Sequence, residues 1–165
     1  MANNYKGGPS DDREYNALYK AATAAQVVNI KMILPTISDT ISKYLDAVFN
    51  QDFDALPMEH MEEEFFYGTQ DGIEEDINSG IRRKVYTLQF SDLRHDRTDA
   101  SNTHLVFRCV YYYDITYKAG EKGTAYDKSE SRVCEFTFRH DPRMGWLLCG
   151  YEDLGPSKQS SLRTV

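Results

Sequence analysis

One long alternating stretch, from His104 to Tyr117, constrains the fold more than any other part of the chain. It reads HLVFRCVYYYDITY. Apolar and aromatic side chains recur at every second position from Leu105 to Ile115, and Arg108 and Asp114 are among the residues between them. A period of two over this length is typical of a β-strand. The stretch therefore predicts a long central strand with one apolar face and one mixed face.

Three further stretches predict the rest of the sheet. They are residues 84–93, 132–139 and 146–151, each rich in aromatic or branched side chains. The polar DRTDASN segment at 96–102 is typical of a turn before the central strand, and DPRMG at 141–145 suits a hairpin between the last two strands. The second half of the chain is therefore predicted to form a mainly antiparallel sheet.

The first half of the chain predicts helices. Residues 12–34 contain no glycine or proline, and their apolar side chains spread over more than one helical face. Pro35 predicts a kink or a short break, because proline disfavours helical geometry at the residue before it. The apolar stripe over 37–49 then predicts an amphipathic helix that packs against the sheet.

Two shorter helices are predicted before the sheet begins. Pro57 can open the first, which Gly68 stops, and the second covers 71–78 before Ser79 and Gly80. The resulting fold class is α+β, with N-terminal helices packed on the sheet.

The predicted domain organisation has four parts. They are a disordered N-terminus at 1–11, a helical extension at 12–35, one α+β domain at 36–154 and a disordered tail at 155–165. A length of 165 residues with 41% hydrophobic content allows one properly buried core.

Charge and cysteine usage exclude several function classes. A net charge of -7 repels phosphate backbones, and the basic cluster at 82–84 is explained as a solvated helix-to-strand junction. Nucleic acid is therefore not an expected partner.

The three cysteines, Cys109, Cys134 and Cys149, all lie in predicted strands without paired spacing, which favours buried thiols in a reducing compartment. The sequence predicts neither a metal site nor a cofactor.

The sequence predicts neither a secretory signal nor a membrane span. The first residues lack the apolar core of a secretory signal, and no stretch approaches the roughly 18 apolar residues of a membrane span. The expectation is a cytoplasmic protein without a transmembrane segment.

Three stretches carry a resemblance to a known superfamily. They are YLDAVFNQDFDAL at 44–56, YYYDITY at 111–117 and VCEFTFRHDPRMGWLLCGYED at 133–153. Their order resembles the cone-shaped fold of the nuclear transport factor two-like superfamily, and within it the Tim-type domain of the mitochondrial import-motor anchor and its bacterial relatives. The resemblance implies a strongly curved, cystatin-like cone that often encloses a pocket and whose outer sheet face commonly forms a dimer.

The leading functional hypothesis is a non-enzymatic protein-interaction or oligomerisation module with room for a small apolar ligand. The expected partner is a second copy or another protein, held through residues 12–34 and the sheet face. Five aromatic side chains are predicted to line either a pocket or an interface: Tyr111, Tyr113, Phe136, Phe138 and Trp146.

The alternative is a cofactor-free enzyme of the dehydratase, isomerase or hydrolase type. Enzymes of this cone fold place an Asp or His base beside tyrosines that polarise the substrate, which implies Asp114 as the base, Tyr112 as a hydrogen-bond donor and His104 as a further candidate. The same three residues also fit a half-solvated row on the outside of a sheet. Catalysis would require Asp114 to be buried beside an open cavity.

Overall fold

The computed structural model describes residues 30–99 and 103–157. The chain divides into two compact units, residues 1–35 and 36–165. Of the first unit only 30–35 are described, and they are helical. The predictions for the N-terminus at 1–11 and for the helix at 12–29 lie outside the described residues.

Helix α1 covers Ile30–Phe49 without interruption, so of the predicted alternatives at Pro35 the short break is wrong. A proline within a helix removes one intrahelical hydrogen bond, and burial of a long apolar stripe can outweigh that loss. The stripe is buried as its spacing predicts, with Ile37 and Ile41 fully covered and Leu45 nearly so.

Helix α2 covers Glu63–Asn78 and follows two short 3-10 turns. The predicted stop at Gly68 is wrong, because the helix continues through it as one element. An exposed glycine costs a helix about 1 kcal/mol, and burial of Phe66 and Ile73 offsets this cost. The predicted stop at Gly80 is confirmed, since Gly80 adopts a φ of 81° after the helix ends.

The sheet is an antiparallel meander in the order β1-β2-β3-β4. Its strands are β1 (Arg82–Thr98), β2 (His104–Lys118), β3 (Tyr126–Asp141) and β4 (Gly145–Pro156). All four are longer than their predicted cores. Register shifts interrupt the pairing at three places in β1 and two between β3 and β4. Such bulges bend strands and increase their twist, so they suit a curved sheet.

The last hairpin agrees with the prediction at its turn and differs from it at the end of β4. The tight connection between β3 and β4 is confirmed, and Asp141 Oδ1 accepts hydrogen bonds at 2.8 Å from the backbone N–H groups of Arg143 and Met144. The predicted end of β4 at Tyr151 is wrong. The strand continues through Pro156, and the N–H of Ser157 donates to the Ser131 carbonyl at 2.9 Å. The rest of the predicted tail, 158–165, lies outside the described residues.

The core lies between the two helices and one face of the sheet, which is called the inner face here. Cys109 and Phe107 on β2 and Cys134, Phe136 and Phe138 on β3 are all completely buried there. The predicted α+β class is confirmed: two helices pack against a curved, unclosed sheet of four antiparallel strands. Within the described residues, no helix is both long enough and apolar enough to cross a bilayer.

Candidate functional site

A half-open groove with a volume of about 490 Å³ lies between α1 and the inner face of the sheet. It is called the tyrosine groove below. Tyr44 and Phe49 of α1 and Tyr151 of β4 line it, and Tyr111 and Tyr113 of β2 form its floor. The period of two in β2 places Tyr111 and Tyr113 on the same face.

The aromatic rings of the tyrosine groove contact one another directly. The Phe49 ring centroid lies 5.0 Å from that of Tyr113 and 5.8 Å from that of Tyr111, and the Tyr44 centroid lies 5.8 Å from that of Tyr151. The hydroxyls of Tyr111 and Tyr151 are 3.0 Å apart, within hydrogen-bond distance. These mutual contacts fix the rings and cover them, so only 3% of Tyr111 and 4% of Tyr113 is exposed to solvent.

A charged cluster lies beside this aromatic floor. Arg132 Nη1 donates to Glu130 Oε1 at 2.8 Å, and Arg132 Nε donates to Asp153 Oδ2 at 2.6 Å. The Tyr113 hydroxyl also donates to Glu130 Oε1, at 2.5 Å. One arginine therefore holds both carboxylates of the groove.

These contacts shift the pKa values of the groove residues away from neutrality. Burial raises the pKa of Tyr111 to about 12, and burial also raises the pKa values of Tyr113 and Tyr151. Burial opposes ionisation of Glu130, but hydrogen bonds from Tyr113 and Arg132 outweigh it and hold the pKa below its ordinary value. Burial likewise opposes ionisation of Asp153, and the hydrogen bond from Arg132 holds its pKa below the ordinary value. At neutral pH the tyrosines stay protonated and the two acids stay ionised.

The open side of the groove carries two cations beside Tyr117. The Lys128 ammonium lies 5.9 Å from the ring centroids of Tyr113 and Tyr117, and the Arg83 guanidinium lies 5.8 Å from that of Tyr117. Arg83 also pairs with Asp76 at 3.4 Å. In the described part of the chain, no carboxylate comes within 4.0 Å of the Lys128 ammonium.

The structure separates the five predicted pocket or interface residues. Tyr111 and Tyr113 line the tyrosine groove. Phe136 and Phe138 are completely buried in the core. Trp146 is half-buried at the start of β4, where its ring contacts His140 at a centroid distance of 5.1 Å. Only two of the five therefore belong to one candidate site.

The residues of the enzymatic alternative lie elsewhere. Asp114 and Tyr112 alternate with the groove tyrosines and so point to the outer face, where Asp114 is half-exposed and accepts a hydrogen bond from Ser129 at 2.8 Å. His104 is ten residues from Asp114 along β2, a separation of about 33 Å at roughly 3.3 Å per residue. The Nδ1 atom of His104 lies 3.2 Å from Asp99 Oδ2 instead. The structure does not bring the three side chains together.

Several groove residues were not predicted as site residues: Tyr44, Glu130, Arg132, Tyr151 and Asp153. Tyr44 could have been found from the apolar stripe of α1, which it shares with buried residues. Glu130 and Arg132 share a period of two with Cys134 and Phe136, but the predicted strand began at 132 and left Glu130 outside. Glu130 could have been predicted as a groove residue only if the strand had been extended to begin before residue 130.

The groove offers no evident metal site. Among the described residues, no group of three or more His, Cys, Asp or Glu side chains comes together in a way that could hold a metal ion. The chemistry of the groove is therefore derived from its aromatic and charged side chains.

Comparisons with known proteins find similarity in structure and none in sequence. No family model and no curated protein matches the chain. The intermembrane space region of the chloroplast protein ARC6 superposes with a TM-score of 0.54 at 13% identity, over 73% of this chain and 95% of that one. A nuclear transport factor 2 (NTF2-like) superfamily protein from Salmonella enterica superposes with a TM-score of 0.53 at 11% identity, over 78% and 94%.

The fold is NTF2-like. A proposed dehydratase of the NTF2-like family from Streptomyces avermitilis gives a TM-score of 0.51 at 10% identity, over 78% of this chain and 98% of that one. The superfamily resemblance read from the sequence is confirmed at the level of fold. Because NTF2-like folds host different functions, the function must be argued from the groove itself.

Proposed function

We propose that this protein is a non-enzymatic binding module whose ligand site is the tyrosine groove. The observation that carries the proposal is a half-open groove of about 490 Å³ lined by aromatic side chains, of which Tyr126 is 51% exposed at its open side. Small-molecule sites are concave, largely apolar and mostly of about 300–1,000 Å³, with a few polar groups that fix orientation. The hydroxyls of Tyr111 and Tyr151 and the Arg132 cluster are such groups.

The titration behaviour of the groove supports binding over catalysis. A general base or acid works best with a pKa near the operating pH. The pKa values of Glu130 and Asp153 are lowered and that of Tyr111 is raised to about 12, so each is a poor proton carrier at neutral pH. The alternative base, Asp114, lies on the outer face and does not line the groove.

Association with a second copy or another protein is a separate part of the proposal. Met32, within the predicted interaction segment, is 77% exposed, which supports a contact site there. The finer resemblance to the Tim-type domain also favours a protein-binding role and stays a prediction.

The ligand-binding part is tested with 2-naphthol, a neutral planar aromatic probe, by calorimetry and saturation-transfer NMR. Tyr126 lines the groove and is 51% exposed, so the variant Tyr126→Ala should fold normally. We expect it to weaken binding roughly threefold to tenfold, as loss of one aromatic contact implies. The matched control is Tyr86→Ala, since Tyr86 is 56% exposed and lies outside the groove.

We expect the control to bind 2-naphthol as the unmodified protein does. Absence of saturable binding, or equal weakening in both variants, would contradict the proposal. Thermal unfolding of both variants shows that any difference arises from the groove and not from loss of structure.

A further inference from the structure

We infer that a second groove, lined by exposed methionines, binds a basic amphipathic helix of another protein. This methionine groove has a volume of about 320 Å³ and is half-open. It is lined by the start of α2, the 3-10 turn before it and the hairpin of β3 and β4, and it shares no lining residue with the tyrosine groove. The inference therefore goes beyond the proposed function and does not depend on it.

The methionine groove presents apolar side chains that solvent reaches. Met58 is 61% exposed, Tyr67 is 54% exposed and Met144 is 52% exposed. Two further lining residues, Met61 and Leu147, are only 4% and 6% exposed. The groove therefore combines a buried apolar base with exposed apolar edges.

The exposed apolar side chains of this groove form a cluster and are not scattered singly. Seven large hydrophobic residues are strongly exposed in the described part of the chain, and three of them meet here. They come from three separate elements, so the fold and not the order of the sequence brings them together. Exposed hydrophobic residues are ordinary when single, whereas a contiguous patch marks an interaction site.

The backbone around the methionine groove is held in place, while its side chains can adapt. Met61 forms an isolated bridge with Leu148, and the N–H of Glu62 donates to the Leu148 carbonyl at 2.9 Å. In the hairpin, the N–H of Met144 donates to Asp141 Oδ1 at 2.8 Å. Methionine side chains are unbranched and polarisable, so they can fit the apolar side chains of a protein partner.

A second concavity of about 550 Å³ adjoins the methionine groove and shares Met58 and Phe66 with it. Phe53, Leu56 and Pro57 are among its other lining residues. Two adjacent concavities suit a helix, because helical side chains at i and i+4 lie on one face about 6 Å apart. The partner is therefore expected to insert two apolar side chains, one on each side of Met58.

The charge around the two concavities favours a cationic partner. Three acidic residues line them without an ion pair to any described residue: Asp54, Glu59 and Glu63. The lysine and arginine that line them are already paired. Arg139 binds Glu62 at 2.5 Å, and Lys43 binds Asp39 at 3.0 Å. The charge that is free to meet a partner is therefore negative.

Two other basic side chains bear on this charge. Arg143 is next to Met144 in the hairpin turn but lines neither concavity. His60 lines the second concavity and would repel a cation only when it is protonated. Binding is therefore best measured at pH 8.

The same charge argues against the chain itself as the occupant. A second copy carries a net charge of -7. The segment at 1–29 contains three basic and three acidic side chains. Neither supplies the excess of positive charge that would complement the free carboxylates, so the expected occupant is a different, basic protein.

The probe is a fluorescently labelled amphipathic peptide of about 14 leucine and lysine residues, roughly four helical turns. The control peptide carries glutamate in place of each lysine. Fluorescence anisotropy with the full chain should show saturable binding of the lysine peptide that weakens in 0.5 M salt, because salt screens exposed charges. The glutamate peptide should bind about tenfold more weakly or not at all.

Four variants locate the binding site. Met58→Ala should weaken binding of the lysine peptide about threefold to tenfold, because it removes a contact of both concavities. Its matched control is Met32→Ala, since Met32 is 77% exposed and lines neither concavity. Glu63→Gln should weaken binding about twofold to fivefold. Glu74→Gln, an exposed site on the same helix outside both concavities, should leave it nearly unchanged.

Equal binding of the two peptides, or equal weakening by Met58→Ala and Met32→Ala, would overturn the inference. Equal weakening by Glu63→Gln and Glu74→Gln would show that net charge alone attracts the peptide, and would overturn it as well. Light scattering tests the remaining occupant: if Met58→Ala dissociates an assembly of the unmodified protein, a second copy fills the groove and the inference is wrong. Binding of 2-naphthol to the tyrosine groove is independent of all these outcomes.

Discussion

The Sγ atoms of Cys109 and Cys134 lie 3.5 Å apart across β2 and β3, and neither side chain is exposed to solvent. Both are free thiols. The hydrogen bond between them and their burial raise the pKa of the Cys134 thiol above its ordinary value. Since the thiolate is the reactive form, these two cysteines are packing groups of the core.

We therefore predict selective alkylation of the native protein. Iodoacetamide at pH 8 should modify Cys149 slowly, because Cys149 is only half-buried and burial raises its pKa to about 11. Cys109 and Cys134 should react only after denaturation. Peptide mass spectrometry identifies the modified residue, and Cys149→Ser serves as the control that should show no native modification. Rapid labelling of Cys134 in the native protein would contradict this burial.

The cysteines illustrate what the sequence could predict. The sequence placed Cys109 and Cys134 in strands as buried thiols, and both are buried; that they face each other follows from the register of β2 and β3, which was not predicted. The ends of strands were harder to predict. In β1 a register shift after Ser91 breaks the period, and Asp92 there adopts a φ of 57°, so the alternation could not be followed to Thr98.

The helices and the groove show two further limits of local reasoning. Pro35 and Gly68 predicted interruptions from backbone preference alone, whereas tertiary burial decided the outcome in the structure. The groove combines Tyr44, Tyr113 and Tyr151 from three separate elements. Their convergence depends on the curvature of the sheet, which no local pattern in the sequence encodes.

A second prediction concerns Glu135 on the outer face. Its carboxylate accepts hydrogen bonds from both terminal nitrogens of Arg97, at 2.8 and 3.0 Å, and from Arg108 at 2.7 Å. The bonds from Arg97 are the main cause that lowers the pKa of Glu135 from 4.5 to about 2; burial opposes this shift, and Arg108 adds to it. A lowered pKa means that the stabilisation is complete above pH 4.5 and is lost as the pH falls towards 2.

Glu135→Gln should lower the free energy of unfolding by about 1–2 kcal/mol at pH 7, a modest value because Arg97 is half-exposed and the pair is screened. Urea unfolding between pH 7 and pH 2 should show this difference shrinking below pH 4.5. The control is Glu152→Gln. Glu152 is exposed, and it lies directly opposite Glu135 in the register of β3 and β4. A loss that is equal at every pH would show that the carboxylate charge is not responsible.

A third prediction distinguishes a core role from an interface role for Phe136. Its ring is completely buried and contacts Tyr44 and Tyr151 at centroid distances of 5.7 and 5.0 Å. Phe136→Ala should lower the free energy of unfolding by about 3–5 kcal/mol, because truncation leaves a cavity. Met144→Ala, at a side chain that is 52% exposed, should change it by less than about 0.5 kcal/mol. A stable Phe136→Ala variant with weakened association would favour the interface.

The last prediction concerns association through the N-terminal segment. Deletion of residues 1–34 should leave the α+β domain folded, because the buried stripe of α1 begins at Ile37 and Thr36 can cap the shortened helix. The deletion should weaken association, since it removes Met32 and the rest of the segment proposed to bind a partner. Light scattering and thermal unfolding measure the two effects, with deletion of residues 1–29 as a control that keeps the described part of α1 whole. Unfolding of the shorter chain would place the segment in the core, and unchanged assembly would place the interface elsewhere.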